Sequence, residues 1–473
     1  MLNLICQVVF TFFNFMHLYF FLEYHDYTMK FDIQELIKAT NARVIKNVDT
    51  DGNFSISTDT RTITSGDVYL PIKGANFDGE KFCQTAIEQG AAGCFVTTDE
   101  YPQDAKLVLK VDNTLHAYMA IANYVRTKFN PKTVAITGSS GKTTTKEMVY
   151  SVVSEKFKTH KTFSNHNNEI GFCQTLLSMP IDTEVLIVEM GMRGLGEIEL
   201  LSKYAQCDYS IIVNVGSAHI GRLGSLDNIA KAKCEITKYQ RQDGVLIAND
   251  SERIRKFVEY DGKKIFYSIE NVKILDRKPS YTKFTYKNEI YELHVEGDYN
   301  VENALAAIEF ALQLNMTPQE IKQGLLKYKP IEKRWEVEEV KGLKFINDSY
   351  NANPDSMKAS VSTFVELYNN PVVVLGNMGE LGDLEVEFHK EVGDFLGRQE
   401  NKKQARFITV GSLAKYTGEE LAKFGFDVKS FDNNIETSRY ILDNLDVGTT
   451  IFLKASRTMK FEEIIQTVKE GDK

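Results

Sequence analysis

The sequence has no surplus of positive charge: a formal net charge of −9 over 473 residues withholds the electrostatic footprint of a nucleic-acid-binding protein. Any anionic substrate must be held by local cations and helix ends. The six cysteines (Cys6, Cys83, Cys94, Cys173, Cys207, Cys234) form no C-x-x-C pair and no compact disulfide framework. Reduced thiols of a cytoplasmic protein are the expectation. There is no internal repeat and no low-complexity linker. A secretory signal is not expected, because the apolar start lacks a basic n-region and no small-residue cleavage site follows it.

That start is the exception in the chain. Residues 1–22 carry no Asp, Glu, Lys or Arg, and Phe10, Phe12, Phe13, Phe15, Phe20 and Phe21 give a run long enough to cross a bilayer. Two readings stand, a membrane-anchoring helix or a translated stretch ahead of a start at Met29. Asn3, Gln7, Asn14 and His17 weaken the anchor, and MKFDIQELIKAT begins an amphipathic pattern that needs nothing before it. The second reading is favoured.

What is present fits an α/β protein of about three domains on the usual domain-size prior. A small α/β substrate domain is expected over 29–129, with strands at 68–72, 93–96 and 107–111 and helices at 82–89 and 115–129. Residues 130–331 alternate strand-like runs (134–137, 185–189, 210–215, 245–248) with helical segments, which predicts a doubly wound, mostly parallel sheet. Residues 332–473 repeat the alternation (344–348, 372–375, 407–410, 451–454) and predict a Rossmann-like domain. No G-x-G-x-x-G follows its first strand, so no dinucleotide cofactor is indicated.

The stretch AITGSSGKTTTKEM, residues 135–148, lies between a strand and a helix. Gly138, Ser139, Ser140 and Gly141 let the backbone approach an anion at a helix N-terminus. Lys142 adds a charge for outer phosphates, and Thr143 and Thr144 add hydroxyls, the first suited to Mg²⁺. The longer G-x-x-x-x-G-K-[ST] spacing fails, because position 136 is Ile136. ATP is the favoured ligand, against the plainer reading of a strand-to-helix turn.

In open α/β sheets ligands gather beyond the carboxyl ends of the strands. Glu189 ends one strand, where its carboxylate is suited to holding Mg²⁺. His219 follows another, and Lys233 lies on the next helical segment. Each alone reads equally as a solvated acid, a loop histidine or a surface lysine. SNHNNEIG supplies Asn167 and Asn168 for polar substrate groups or for turns. Asn300 and Asn303, one turn apart at a helix start, either cap it or read a nucleobase. Asp348, Asn351 and Asn353 in INDSYNANPDSM read as a binding loop.

As an ordered set, TGSSGKTTTKE, SNHNNEIG, EMGMRGLGEIELLS, the His219-to-AKAKCEI spacing, DYNVENALAA, KRWEV and NDSYNANPDSM resemble the Mur ligases of peptidoglycan synthesis, from about Ser57 to the C-terminus. That family uses the shorter T-G-x-x-G-K-[ST] loop, and the Tyr-Asn-Ala-Asn-Pro run resembles its dipeptide-adding member. The resemblance implies an ADP-forming ligase that joins D-alanyl-D-alanine to UDP-N-acetylmuramoyl-tripeptide through an acyl phosphate. It implies a pair of Mg²⁺ ions held by Thr143, Glu189, His219 and a carbamylated Lys233. It also makes Asn300, Asn303, Arg334 and Asp348 nucleotide contacts, Asn351 and Asn353 neighbours of the dipeptide, and Asp59, Arg61, Gly74 and Asp78 contacts of the UDP-sugar. The expected protein is a cytoplasmic monomer without nucleic-acid partners, and without a membrane partner unless residues 1–28 are real. A folylpolyglutamate-synthetase-like amide ligase and a membrane-anchored ATP-binding scaffold are the competing readings.

Overall fold

The computed structural model describes residues 29–48, 50, 52–74, 77–331, 333–399 and 405–471. The apolar stretch 1–28, with the anchor and start-site expectations that fall on it, lies outside the described residues. Among the described residues no helix is long and apolar enough to cross a membrane. The chain is α/β with mostly parallel sheets and forms two compact units.

One unit comprises residues 29–132 with 160–188. Its sheet runs in the order Arg43–Asn47, Leu107–Lys110, Gly93–Val96, Val68–Tyr69, Ile56–Ser57, antiparallel at the first pair and parallel elsewhere. The central strands are covered on both faces and therefore read as unbroken apolar runs; Leu107, Val108, Leu109, Cys94 and Phe95 are fully buried. Gly93 is needed where two strands meet, since a Cβ there would sit 2.1 Å from the Leu107 carbonyl oxygen. The strand expected over 68–72 ends at Tyr69, two residues before Pro71, which has no N–H to extend the ladder. Asn113 caps the helix Thr114–Phe129 on the His116 N–H, and Asn130 ends it in the left-handed conformation.

The other unit comprises residues 133–159 with 189–471. Lys132–Thr137, Tyr209–Ile212, Val245–Asn249 and Lys263–Tyr267 pair in parallel, in that spatial order. Helices Lys142–Val153 and Asp298–Gln313 pack on each other. Lys273–Lys278, Tyr281–Tyr286 and Glu289–Leu293 form an antiparallel meander that the sequence reading did not anticipate. Only its middle strand alternates cleanly, burying Thr282, Phe284 and Tyr286.

The last sheet has the order Glu336–Val340, Leu343–Asn347, Thr450–Lys454, Val372–Gly376, Arg406–Val410, Asp427–Phe431. Its five-strand parallel part matches the expected alternation. The antiparallel edge strand EVEEV escaped notice because only Val340 is buried; Lys341 and Gly342, both at positive φ, turn it into its partner. The five described cysteines are all buried and free.

Candidate active site

The first parallel strand ends at Thr137, and after the four residues 138–141 the helix Lys142–Val153 begins. Gly141 sits at φ 75°, and a Cβ there would lie 2.5 Å from Asn303 Oδ1, so both conformation and space demand glycine. The loop is braced from the neighbouring strand. Asn214 Oδ1 accepts from the N–H groups of Ser139 and Ser140, each at 3.0 Å, while its Nδ2 donates to the Ser140 carbonyl at 3.2 Å. Ser139 exchanges two hydrogen bonds with the Gly216 backbone, at 2.8 and 2.9 Å.

Lys142 curls back so that its Nζ donates to the Gly138 carbonyl at 2.8 Å. Burial pulls its pKa down, opposed by the Glu189 carboxylate and reinforced by the Arg334 charge. One residue on, the Thr143 hydroxyl is 3.3 Å from Glu189 Oε1 and accepts from Arg334 Nη2 at 3.0 Å. Thr144 hydrogen-bonds Tyr328. Glu189 is placed by the strand Val185–Glu189 and by its successor, whose N–H donates to the Ile136 carbonyl at 2.8 Å. The second Glu189 oxygen faces Lys146, fully buried, with Nζ at 3.6 Å. Lys146 lies one helical turn beyond Lys142, so the two lysines share a helix face.

Lys233, near the end of the helix Leu226–Cys234, is buried. Burial drives its pKa well below the ordinary lysine value and the Lys142 charge lowers it further. His219 stands at φ 65°, strained for a histidine, with Nδ1 at 2.8 Å from Glu380 Oε2. The imidazole holds the Glu380 carboxyl below its usual range against the opposing effect of burial.

Asn303 accepts from the Thr145 hydroxyl at 3.1 Å, and Asn300 Nδ2 donates to the Glu296 carbonyl at 2.7 Å. Neither caps the helix, whose N-cap is Gly297; the capping alternative fails because both asparagines lie inside the first turns and point elsewhere. Arg334 lies over the Tyr350 ring at 4.1 Å. Asp348 is paired with buried Lys454 at 2.6 Å. The Asn351 side chain accepts from the Ala352 N–H at 2.9 Å, and Asn353 caps the helix Pro354–Leu367 in a reciprocal box with Ser356.

The remaining sequence candidates belong to the other unit. Asp59 caps a short turn and grips Arg61 through both carboxylate oxygens, at 2.6–3.1 Å. Asp78 caps the turn Gly79–Phe82 and lies 3.4 Å from Lys73, beside Gly74. Asn168 caps the helix Glu169–Leu177, and the Asn167 N–H donates to the Asn165 carbonyl at 2.7 Å.

Among the described residues no three His, Cys, Asp or Glu side chains are arranged as a metal site. The oxygens of Thr143 and Glu189 nevertheless suit a hard cation such as Mg²⁺, which keeps several waters and takes phosphate oxygens from its substrate. The sequence reading passed over Asn214, Lys146, Glu380 and Lys454. Lys146 stands in a motif already singled out, and Asn214 and Lys454 lie in strand-like runs that were anticipated.

Family models cover most of the described chain. The Mur ligase family catalytic domain matches residues 55–127, the Mur ligase middle domain residues 136–311, and the Mur ligase glutamate ligase domain residues 333–457. The chain is 35% identical over 453 residues to the UDP-N-acetylmuramoyl-tripeptide–D-alanyl-D-alanine ligase of Bacillus subtilis (strain 168), covering 93% of this chain and 98% of that one. It is also 35% identical over 431 residues to the enzyme of that name from Synechocystis sp., covering 87% and 91%. A crystal structure of MurF from Acinetobacter baumannii superposes with a TM-score of 0.86 at 29% identity, covering 94% of this chain and all of that one. The chain belongs to the Mur ligase family.

Proposed function

We infer that the protein is an ATP-dependent ligase that joins D-alanyl-D-alanine to UDP-N-acetylmuramoyl-tripeptide with release of ADP and phosphate. The observation that carries this reading is the convergence of Lys142, Thr143, Glu189 and Arg334 on one glycine loop. The near full-length likeness to the Bacillus subtilis ligase supports the choice of substrates. We assign the UDP-sugar domain to 29–129, the ATP-binding domain to 130–331 and the C-terminal ligase domain to 332–473. The nucleotide substrates and free thiols support a cytoplasmic setting.

A carboxylate is a poor electrophile until one of its oxygens becomes a leaving group. An oxygen of the tripeptide's terminal carboxylate attacks the γ-phosphorus of ATP, and the bond from that phosphorus to the bridging oxygen breaks, releasing ADP. The amine of D-alanyl-D-alanine then attacks the acyl carbon, phosphate departs, and the nitrogen loses its proton. Phosphoryl transfer asks mainly for positioning and charge neutralisation. Lys142 leaves the Gly138 carbonyl for the outer phosphates, the N–H groups of the first helical turn face the anion, and Arg334 stands beside Thr143.

Thr143 and Glu189 would hold a Mg²⁺ ion, which when bound would supply charge neutralisation at the phosphates. Buried Lys233 fits a carbamate, because its depressed pKa favours the free amine that reacts with CO₂. As an anion, it and His219 are the candidate holders of a second Mg²⁺. Asn300 and Asn303 are assigned to adenine, Asp348 to the nucleotide, Asn351 and Asn353 to the dipeptide, Asn167 and Asn168 to polar substrate groups, and Asp59, Arg61, Gly74 and Asp78 to the UDP-sugar.

Purified protein tests the assignment. ADP release that requires both UDP-N-acetylmuramoyl-tripeptide and D-alanyl-D-alanine supports it. Release driven by a folate and glutamate instead, or nucleotide binding without turnover, contradicts it.

A further inference from the structure

Asp355 stands in the first turn of the helix Pro354–Leu367, where an acidic side chain ordinarily does no more than complement the helix dipole. Here the helix has its cap in Asn353, and the Asp355 carboxylate is directed at another segment. Its Oδ2 accepts from the Ser217 N–H at 2.6 Å and from the Ser217 hydroxyl at 2.7 Å. The approach is close enough that a Cβ on Gly216 would lie 2.5 Å from the same oxygen. Ser217 adjoins Gly216, whose N–H and carbonyl hold the Ser139 hydroxyl, and Asn214 in the same segment holds the N–H groups of Ser139 and Ser140. Beyond the segment, the Gly221 N–H donates to the Glu380 carbonyl at 3.2 Å.

We propose that Asp355 is a positioning residue for the phosphate loop: by clasping Ser217 it fixes the segment 214–217 and, through that segment, the path of Ser139 and Ser140. The connection is short, two hydrogen bonds to Ser217, one peptide link to Gly216, and two hydrogen bonds to Ser139. Charge-assisted bonds to a carboxylate are the stronger kind, so the clasp is suited to transmit position. Nucleotide affinity is thereby tied to how the Pro354–Leu367 helix is seated.

The inference rests on the reading of this loop as the ATP site, and the experiment separates the two. ADP with Mg²⁺ is titrated into the full chain by calorimetry, with circular dichroism confirming the fold of each variant. Asp355→Ala should weaken ADP by about tenfold, the order of one charge-assisted hydrogen bond. Asp355→Asn, which keeps an acceptor oxygen, should stay within about threefold. Lys358→Ala, one turn on, loses an ion pair to Glu391 but makes no link to the loop, and should leave the affinity unchanged. If Asp355→Ala does not fold, Ser217→Ala, which removes one of the two bonds, should still weaken ADP by about threefold. ADP affinity unmoved in Asp355→Ala and Ser217→Ala, or Asp355→Asn as impaired as Asp355→Ala, would overturn the inference while leaving the ATP site in place. Failure of the unaltered protein to bind ADP would instead remove the ATP reading and the clasp with it.

Discussion

Lys146 Nζ lies 3.6 Å from Glu189 Oε2 with both side chains out of reach of solvent, so the carboxylate assigned to Mg²⁺ carries its own internal counter-cation. Removing one member of such a pair leaves a buried charge uncompensated, which costs about 3–5 kcal/mol. Glu147, partly exposed, lies 3.4 Å from the same nitrogen. Lys146→Met should therefore lower stability by that order in urea unfolding, whereas Arg43→Ala, which breaks an exposed pair with Asp99, should cost about 1 kcal/mol or less. Mg²⁺ with ADP should recover part of the Lys146→Met deficit, because a bound cation restores the missing charge and ligand binding stabilises the folded state. A deficit as small as that of Arg43→Ala would contradict the pairing.

Lys233 is expected to behave as a carbamate. Burial favours its free amine far below the ordinary lysine range, and CO₂ adds to the free amine alone. Activity should fall in CO₂-depleted buffer, return with bicarbonate, and decline as acid reprotonates the amine. Lys233→Ala should lose roughly 10²–10³-fold in turnover and regain part of it with added short carboxylates that occupy the vacated anion position. Carbon-13 bicarbonate should give a carbamate signal in the unaltered protein and none in the variant. Full activity in Lys233→Ala would remove the carbamate from the scheme.

His160 gives a pH dependence in the first unit. Burial lowers its pKa to about 4, while the Thr175 carbonyl, 2.9 Å from Nε2, pulls the other way. Above pH about 6.5 the ring is neutral in both folded and unfolded chains and contributes nothing. As pH falls from there towards 4 the unfolded chain takes up the proton first, so stability drops, and below 4 the full cost is reached at about 3 kcal/mol. His160→Gln should flatten that part of the profile in urea unfolding at pH 7 and pH 4.5. An unchanged slope would show that other groups carry it.

The parts of the site written in consecutive residues were legible in the sequence. Gly138 to Thr143 declare themselves because glycine, lysine and hydroxyl are needed at fixed offsets between a strand and a helix, and Glu189 because a strand's carboxyl end faces the site. Partners chosen by tertiary packing were not. Asn214 looks like any residue near the end of a strand-like run until its amide is seen on the Ser139 and Ser140 N–H groups, and Glu380 like any loop acid until His219 meets it. The same limit explains Asn300 and Asn303, whose spacing suits capping although Gly297 takes that place. In the fold, runs buried on both faces stood out, while Glu336–Val340, with charges on both faces, carried no signal at all.

The most direct test of the account is a crystal structure with a non-hydrolysable ATP analogue and Mg²⁺. The account predicts the triphosphate on Gly138 to Thr143, Lys142 Nζ moved from the Gly138 carbonyl to the outer phosphates, and a cation touching Thr143 and Glu189. A nucleotide bound away from Lys142, or a loop that stays empty at saturating analogue, would contradict it.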